Sequence, residues 1–271
     1  MKATILIDNI SKNELHSEWG LAVYVEHNGH KILLDSGSTG IFVRNAQMLG
    51  INLDEIEHVT LSHAHYDHSD GIPTFMDEFK GAKLYLREGT KENCYRKLFL
   101  WKNKYIGIQK GTLDSYSDRI VYVSGDYELE KDIYLIPHKT PNLGLIGKKA
   151  KMYVEKDGKL VPDDFSHEQS LVIRTAKGLC VFNSCSHGGA DNIINEITDT
   201  FPDEKVYAIV GGFHLFLSSE KDIRALAQRI RETNIDKVYT GHCTGKRAFD
   251  ILKNELGDKA EQLYSGLDII I

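Results

Sequence analysis

The chain has 271 residues, of which 41% are hydrophobic and 27% charged, with only 5 prolines, a balance that permits a large core and excludes disordered and collagen-like proteins. Its 39 acidic and 33 basic residues give a net charge of -6, which offers no general attraction to nucleic acid or an anionic membrane. Single domains of α/β and sandwich folds reach roughly 250 residues, so we expect one domain over 1–271.

The apolar stretches and the cysteines indicate the compartment. The apolar stretches are shorter than the roughly 18 residues that a membrane span requires, and the first apolar run is too short for a secretory signal. The 4 cysteines form no CxxC pair, which favours reduced thiols. We therefore expect a cytoplasmic protein with a small-molecule substrate and without a nucleic-acid or membrane partner; the sequence does not indicate its oligomeric state.

The first half of the chain alternates short apolar runs with turn signals. The predicted elements, in chain order, are strands at 3–9, 20–27 and 30–35, a helix at 41–49, and strands at 59–61, 83–86, 120–123 and 133–136. Asn28-Gly29 predicts a tight hairpin turn between the second and third strands. The pattern over 88–104 predicts a helix, within a helical insertion near 88–118.

The second half begins with an irregular surface flap near 137–168, which contains a predicted hairpin at 152–161 turning on Asp157-Gly158. The predicted elements that follow are strands at 169–175 and 178–183, a helix at 190–199, a strand at 205–210, a helix at 219–233, a strand at 237–240, a helix at 245–256 and a terminal strand at 262–270. The order of elements repeats that of the first half. This repetition predicts an α/β fold of two sheets with helices outside them.

Most candidate metal ligands lie in one segment that follows a predicted strand. It places four candidate metal ligands, in an HxHxDH pattern, within six residues. In an extended chain residues two apart point to the same side, so His63 and His65 can hold one ion through ring nitrogens. Asp67 and His68 follow where the chain turns, which directs them toward a second ion nearby. Solvated loop histidines are the alternative, and the spacing disfavours them.

This HxHxDH pattern resembles the metal-binding motif of the metallo-β-lactamase superfamily, whose members bind one or two ions between two sheets. Leu33–Gly37 and Tyr239–His242 resemble two further motifs of that superfamily in the same order. The resemblance implies a four-layer αββα sandwich of two mixed sheets with outer helices. The ligands it implies are His63 and His65 for the first ion, and Asp67, His68 and His242 for the second.

Four further segments resemble one subfamily, the dihydropterin ribofuranosylaminobenzene phosphate synthase-like proteins linked to methanopterin biosynthesis. These segments are Glu168–Leu171, Ser184–Gly189, Gly211–Leu215 and Gly241–Gly245. The resemblance implies a C–N bond-forming synthase, in which ions bind a diphosphate leaving group while an arylamine attacks the pterin methylene carbon. Activity does not follow from fold alone.

The third histidine ligand has three candidates. His187 follows a predicted strand and precedes a helix, so its ring can enter the same cleft, and we favour it. His138 and His167 lie in the irregular flap and are the alternatives. Where the superfamily usually has a bridging aspartate, Cys185 stands nearby, either as a metal ligand or as a packed thiol. We expect Asp35 to orient ligands from behind or to act as a cap.

Three residues are candidates for substrate binding. His214 lies at a strand end on the ligand-binding edge of the sheet, with a core or capping role as the alternative. Thr244 and Lys246 begin the helix after His242, where free N–H groups and a basic side chain can receive a phosphate. A solvated basic helical turn is the alternative for this pair.

These observations predict a metal-dependent hydrolase of a small phosphorylated or pterin-like substrate that acts through metal-activated water. Asp67 would accept or shuttle the proton. One or two divalent ions are expected, Zn²⁺ first, with Mn²⁺ or Fe²⁺ as alternatives. The competing hypotheses are the synthase reaction and a non-catalytic sensor of metal or ligand. A nuclease is disfavoured by the acidic balance of the chain.

Overall fold

The computed structural model describes residues 1–12, 14–98 and 102–271. The strands, in chain order, are β1 (Lys2–Ile7), β2 (Ala22–His27), β3 (His30–Leu34), β4 (His58–Thr60), β5 (Lys83–Arg87), β6 (Cys94–Lys97), β7 (Asn103–Tyr105), β8 (Ile120–Val123), β9 (Tyr127–Glu130), β10 (Ile133–Pro137), β11 (Met152–Lys156), β12 (Lys159–Pro162), β13 (Gln169–Thr175), β14 (Gly178–Phe182), β15 (Val206–Gly211), β16 (Lys237–Thr240), β17 (Ala260–Gln262) and β18 (Asp268–Ile270). The helices are α1 (Phe42–Met48), α2 (Tyr66–Ser69), α3 (Ile72–Glu78), α4 (Thr112–Ser115), α5 (Leu143–Ala150), α6 (Ala190–Thr200), α7 (Glu220–Glu232) and α8 (Lys246–Leu256).

Two large mixed sheets organise the described residues. The first has seven strands in the order β18-β1-β2-β3-β4-β5-β8, and the second has seven in the order β17-β16-β15-β14-β13-β10-β9. In the first sheet β3, β4, β5 and β8 run parallel, and in the second β14 to β17 do so. The remaining neighbours in the two sheets are antiparallel.

Alternating side chains give the two sheets a shared core and two outer cores. On β2, Val23 and Val25 point into the cluster between the sheets, whereas Tyr24 points toward the helices α1 and α3. On β14, Phe182 joins the shared core while Val181 packs under the helices α6, α7 and α8. Period-two alternation therefore buries both faces of each sheet. The predicted four-layer αββα arrangement is confirmed.

Helix α7 shows how the outer layer forms. Ile223, Leu226, Ala227 and Ile230 are buried and repeat at helical spacing, so one face packs on the second sheet. The side chain of Ser219 accepts a hydrogen bond from the amide of the third helical residue and caps the first turn. Acidic residues in the first turn and basic residues in the last complement the helix dipole.

The predicted helix over 88–104 is wrong. The structure has β6 and β7 there, and residues 99–101 lie outside the described part of the chain. Strand β6 pairs with β11, with Cys94 opposite Val154, so the insertion and the flap share a four-stranded sheet in the order β12-β11-β6-β7. This long-range pairing overrides the local helical spacing, and the short helix α4 is the helical part of the insertion that the structure describes.

Two further expectations meet different outcomes. The hairpin predicted in the flap is confirmed as β11 and β12, and helix α5 precedes it, so the flap is more regular than expected. The single terminal strand predicted at 262–270 is wrong, because β17 and β18 belong to different sheets. Gly266, with a φ of 91°, lies in the connection where the chain crosses from one sheet to the other. Among the described residues, no helix combines the length and apolar character needed to cross a bilayer.

Candidate metal centre

The predicted site residues meet at one end of the sandwich. Asp35 and His63 follow β3 and β4, while Cys185, His214 and His242 follow β14, β15 and β16. Because each of these two groups of strands is parallel, their carboxyl ends meet at one edge, where open sheets bind ligands. The two sheets together place these side chains in one cluster.

Three imidazoles form the first half of the cluster. The ring centroids of His63 and His65 are 4.6 Å apart, and His187 lies 4.9 Å from the first and 5.1 Å from the second. The Nε2 atom of each ring is buried, and none of the described residues hydrogen-bonds to it. Buried polar atoms are normally paired, so three unpaired nitrogens in contact fit a site for a cation.

The other ring nitrogen of two of these histidines is held in place. His63 Nδ1 donates to Ser62 Oγ at 2.8 Å, and that hydroxyl donates to Asp35 Oδ2 at 2.7 Å. His187 Nδ1 donates to Glu168 Oε2 at 2.5 Å. A carboxylate only accepts, so the proton lies on Nδ1 and the lone pair of Nε2 faces the cluster. Such partners orient metal-binding histidines.

A second pair of imidazoles faces inward in the same way. His68 Nδ1 donates to Asp35 Oδ2 at 2.8 Å, and His242 Nδ1 lies 3.0 Å from Asn9 Oδ1. Their Nε2 atoms are 3.2 Å apart, and Asp67 Oδ2 lies 3.5 Å from the Nε2 of His242. Two lone pairs at this distance repel each other unless a proton or a cation lies between them. The donor set fits a second cation.

Asp67 is held as an anion. Trp19 Nε1 donates to Asp67 Oδ2 at 2.8 Å. Burial opposes ionisation of this carboxyl, yet the imidazoles of His68 and His242 together lower its pKa well below the usual range. Asp67 Oδ2 already accepts from Trp19 and faces His242 Nε2, so this geometry favours Asp67 as a ligand over Asp67 as a base.

Cys185 lies between the two halves of the cluster. Its Sγ is 3.3 Å from His68 Nε2 and within 4.8 Å of the ligand atoms of His63 and His187. It also contacts Cys243 Sγ at 3.3 Å. A thiolate at this place can reach ions in both halves, which is the position of a bridging ligand.

His138 does not join the cluster. Its Nε2 is 2.8 Å from Glu168 Oε1, and its Nδ1 is 3.2 Å from Glu196 Oε2. Burial would lower the pKa of this imidazole, but the two carboxylates raise it to about 10. His138 is therefore held as a cation that supports Glu168, the carboxylate behind His187.

Both ring nitrogens of His167 have partners outside the cluster. Its Nδ1 accepts a hydrogen bond from the amide of Ala64 at 3.2 Å, and its Nε2 lies 3.1 Å from Asp163 Oδ2. The ring therefore braces the backbone between His63 and His65. The ligand atoms of His167 and His65 also lie within 4.8 Å of each other, but of the three candidates for the third histidine only His187 brings an Nε2 that no described residue satisfies to both His63 and His65.

The predicted substrate-binding residues have different surroundings. His214 is half-buried, its ring lies 5.0 Å from that of His187, and none of the described residues hydrogen-bonds to its Nδ1. Thr244 is fully buried, and its hydroxyl accepts from the Phe213 amide at 3.0 Å, so the structure does not support a substrate contact by this side chain. Lys246 is exposed and pairs with Asp250 at 2.7 Å.

Sequence reasoning missed the residues that the start of the chain contributes. Asn9 orients His242, Trp19 bonds Asp67, and Asp8 Oδ2 accepts from the His242 amide at 2.8 Å. Burial raises the pKa of Asp8 to about 6, against the effect of the neighbouring His242. The sequence feature that could have identified Asp8 and Asn9 is their position directly after an apolar strand.

Gly71→Ala is expected to destabilise the fold by about 1–3 kcal/mol, the usual cost of overpacking. A Cβ at this position would lie 2.0 Å from the Ser36 carbonyl oxygen, while the Ser36 amide and hydroxyl bond the His68 carbonyl at 2.8 and 2.9 Å. The clash would separate the two loops that hold Asp35 and His68. Gly81→Ala, whose Cβ meets no described atom within 4 Å, is the matched control. Equal denaturant midpoints for the two variants would contradict this account.

Comparisons with known proteins agree with this architecture. The family model described as the metallo-beta-lactamase superfamily matches residues 20–137. The solved structure of Tm1679, described as a metal-dependent hydrolase of the beta-lactamase superfamily, has a TM-score of 0.84 and 32% sequence identity. That match covers 100% of this chain and 99% of the other.

Two proteins of Methanocaldococcus jannaschii are also similar over most of their length. One is 7,8-dihydropterin-6-methyl-4-(beta-D-ribofuranosyl)-aminobenzene-5'-phosphate synthase, which is 29% identical over 267 residues, or 92% of this chain and 89% of the relative. The other is the uncharacterized protein MJ0448, which is 27% identical over 252 residues, or 90% of this chain and 91% of the relative.

Proposed function

Because the chain belongs to the metallo-beta-lactamase superfamily, we propose that it is a metal-dependent hydrolase of a small phosphorylated or pterin-like substrate. The observation that carries the proposal is the set of three buried Nε2 atoms, on His63, His65 and His187, that no described residue satisfies. The chemistry that divalent ions supply in such a centre is Lewis acidity and activation of water. Similarity to Tm1679, a metal-dependent hydrolase, supports the reaction class.

The donor set fits Zn²⁺ best. Imidazole, carboxylate and thiolate are all zinc ligands, while Mn²⁺ and Fe²⁺ are alternatives that accept imidazole and carboxylate. The proposed ligands are His63, His65 and His187 for one ion, Asp67, His68 and His242 for the other, and Cys185 between them. Ser62, Asp35, Glu168 and Asn9 keep the lone pairs of four of these imidazoles turned inward.

The surroundings of His214 and Asp67 indicate their roles in the reaction. His214 has an unpaired Nδ1 beside His187 and partial exposure, so we assign it the contact with the substrate and proton delivery to the leaving group. Asp67 stays ionised, so its task is to hold an ion and to fix the indole of Trp19, whose ring lies 5.2 Å from that of His242.

The second candidate is the synthase reaction. It is favoured by the similarity to the M. jannaschii synthase, which extends over 92% of this chain. The two reactions use the same ligands and leaving group and differ in the nucleophile, which is water in the first and an arylamine in the second. A centre that binds a diphosphate group serves both.

Turnover of a dihydropterin diphosphate, with and without the ribofuranosylaminobenzene phosphate, separates the candidates. For the zinc-loaded protein we expect multiple turnovers without the amine, measured by release of the hydroxymethyl pterin. Product that forms only when the amine is present would reject hydrolysis in favour of the synthase. Absence of turnover in both mixtures would contradict both reactions and favour the sensor hypothesis. The control is His63→Ala, which should be inactive in both mixtures.

A further inference from the structure

A second cluster of histidines and carboxylates lies at the opposite ends of the same strands. His30 begins β3 and His58 begins β4, whereas the metal centre follows the other ends of these strands. Glu57 precedes His58, and Glu130 ends β9 in the second sheet. The cluster therefore spans both sheets at the edge remote from the candidate metal centre.

His58 is the anomaly in this cluster. Its side chain is only 10% exposed, and none of the described residues hydrogen-bonds to either of its ring nitrogens. Glu130 Oε1 lies 3.2 Å from His58 Nε2 and Glu57 Oε2 lies 3.8 Å from it, but neither carboxylate is aligned with the ring N–H direction. A buried imidazole whose ring nitrogens lack aligned hydrogen bonds is costly, and carboxylate oxygens around it attract a cation.

His30 completes the set of donors. Its Nδ1 lies 3.1 Å from Glu57 Oε2, and its Nε2 lies 3.9 Å from Glu130 Oε2. One ligand atom from each of His30, Glu57 and His58 lies within 4.8 Å of the others. Zn²⁺ binds nitrogen and oxygen at roughly 2.0–2.2 Å, so these three ligand atoms would have to turn inward to share one ion, which Glu130 can reach through its contact with His58 Nε2.

We propose that His30, Glu57 and His58, with Glu130 as the fourth donor, form a separate site for a divalent transition-metal ion, Zn²⁺ foremost. Two imidazoles and two carboxylates complete a tetrahedral set without a position for substrate, which is the pattern of a structural ion. Because the ligands come from both sheets, bound Zn²⁺ would join the sheets at this edge and stabilise the folded chain. The site does not depend on the proposed hydrolase activity.

Zinc binding to the full chain, first stripped with chelator, tests the proposal. We expect equilibrium dialysis to count one ion fewer per chain for His58→Asn and for Glu57→Gln than for the unaltered chain, with turnover unchanged. We also expect the rise in thermal midpoint with added Zn²⁺ to be smaller in both variants. Glu55→Gln is the matched control, because it removes a carboxylate two residues away that pairs with Lys31 outside the cluster.

If His58→Asn does not fold, Glu57→Gln still tests the proposal. The Glu57 side chain is 56% exposed, so its replacement leaves the core intact. An ion count and a zinc-dependent midpoint shift in Glu57→Gln equal to those of Glu55→Gln would overturn the proposal. If the unaltered chain binds one ion more than Glu57→Gln but does not turn over substrate, the proposed hydrolase function fails while this site stands, so the two proposals fail separately.

Discussion

His63→Ala is expected to lower kcat/KM by about a thousand-fold or more and to weaken zinc binding. Lewis acidity at a reacting group contributes several kcal/mol, and each 1.4 kcal/mol is about tenfold in rate. The variant removes one of three imidazoles whose Nε2 atoms face the same point. Metal affinity from chelator competition and turnover at saturating zinc are the two measurements.

The same two measurements test which histidine is the third ligand of the first ion. His187→Ala should match His63→Ala, since both rings offer an unpaired Nε2 to the cluster. His138→Ala removes a partner of Glu168 and should cost at most roughly 10–100-fold, the range for residues that support a ligand. His16→Ala serves as the neutral control. If His138→Ala were as damaging as His63→Ala while His187→Ala was mild, the assignment would be wrong.

The layers of the fold were predictable because they depend on local patterns. Strand β13 contains a short continuous apolar run, helix α7 repeats its apolar residues at helical spacing, and the turn at Asn28-Gly29 has the residues that its backbone requires. The four-stranded sheet β12-β11-β6-β7 was predictable only in its β11-β12 hairpin. Its strands β6 and β11 are held by pairing across more than fifty residues, for which single-sequence spacing carries no signal.

The metal centre was predictable to the extent that its ligands are close in sequence. The HxHxDH spacing alone predicts four ligands, whereas the choice among His187, His138 and His167 depends on which ring nitrogens are already occupied. In the structure the ring nitrogens of His138 contact Glu168 and Glu196, and the Nδ1 of His167 accepts a hydrogen bond from the Ala64 amide. Such pairing arises only when the flap packs on the rest of the fold.

Cys185→Ser is expected to lower the affinity for one of the two ions by at least the roughly 10–100-fold that loss of a supporting residue costs. The Sγ of Cys185 lies within 4.8 Å of the ligand atoms of His63 and His187, and also of those of His68 and His242. A serine hydroxyl stays neutral near pH 7 and does not replace a thiolate between two cations. Ion counts per chain and the thiolate-to-Co(II) absorption band of the cobalt-loaded protein are the measurements.

The pair Cys185→Asp and Cys185→Ser separates a bridging role from simple packing. The carboxylate of Cys185→Asp can restore an anion between the two sets of histidines, so we expect this variant to bind two ions but to lack the thiolate band. Cys180→Ser, in the core between the sheets, controls for the loss of a buried thiol. An unchanged ion count and band in Cys185→Ser would show that the thiol only packs.

Proton release upon zinc binding gives an independent measure of the same role. Burial raises the pKa of the Cys185 thiol well above its usual value, and the neighbouring Cys243 raises it further. The thiol is therefore protonated at neutral pH until a cation displaces its proton. We expect the zinc-stripped protein to release about one proton more per chain than Cys185→Ser when both are titrated with zinc near pH 7. Equal proton release would mean that Cys185 keeps its proton and does not bind the ions.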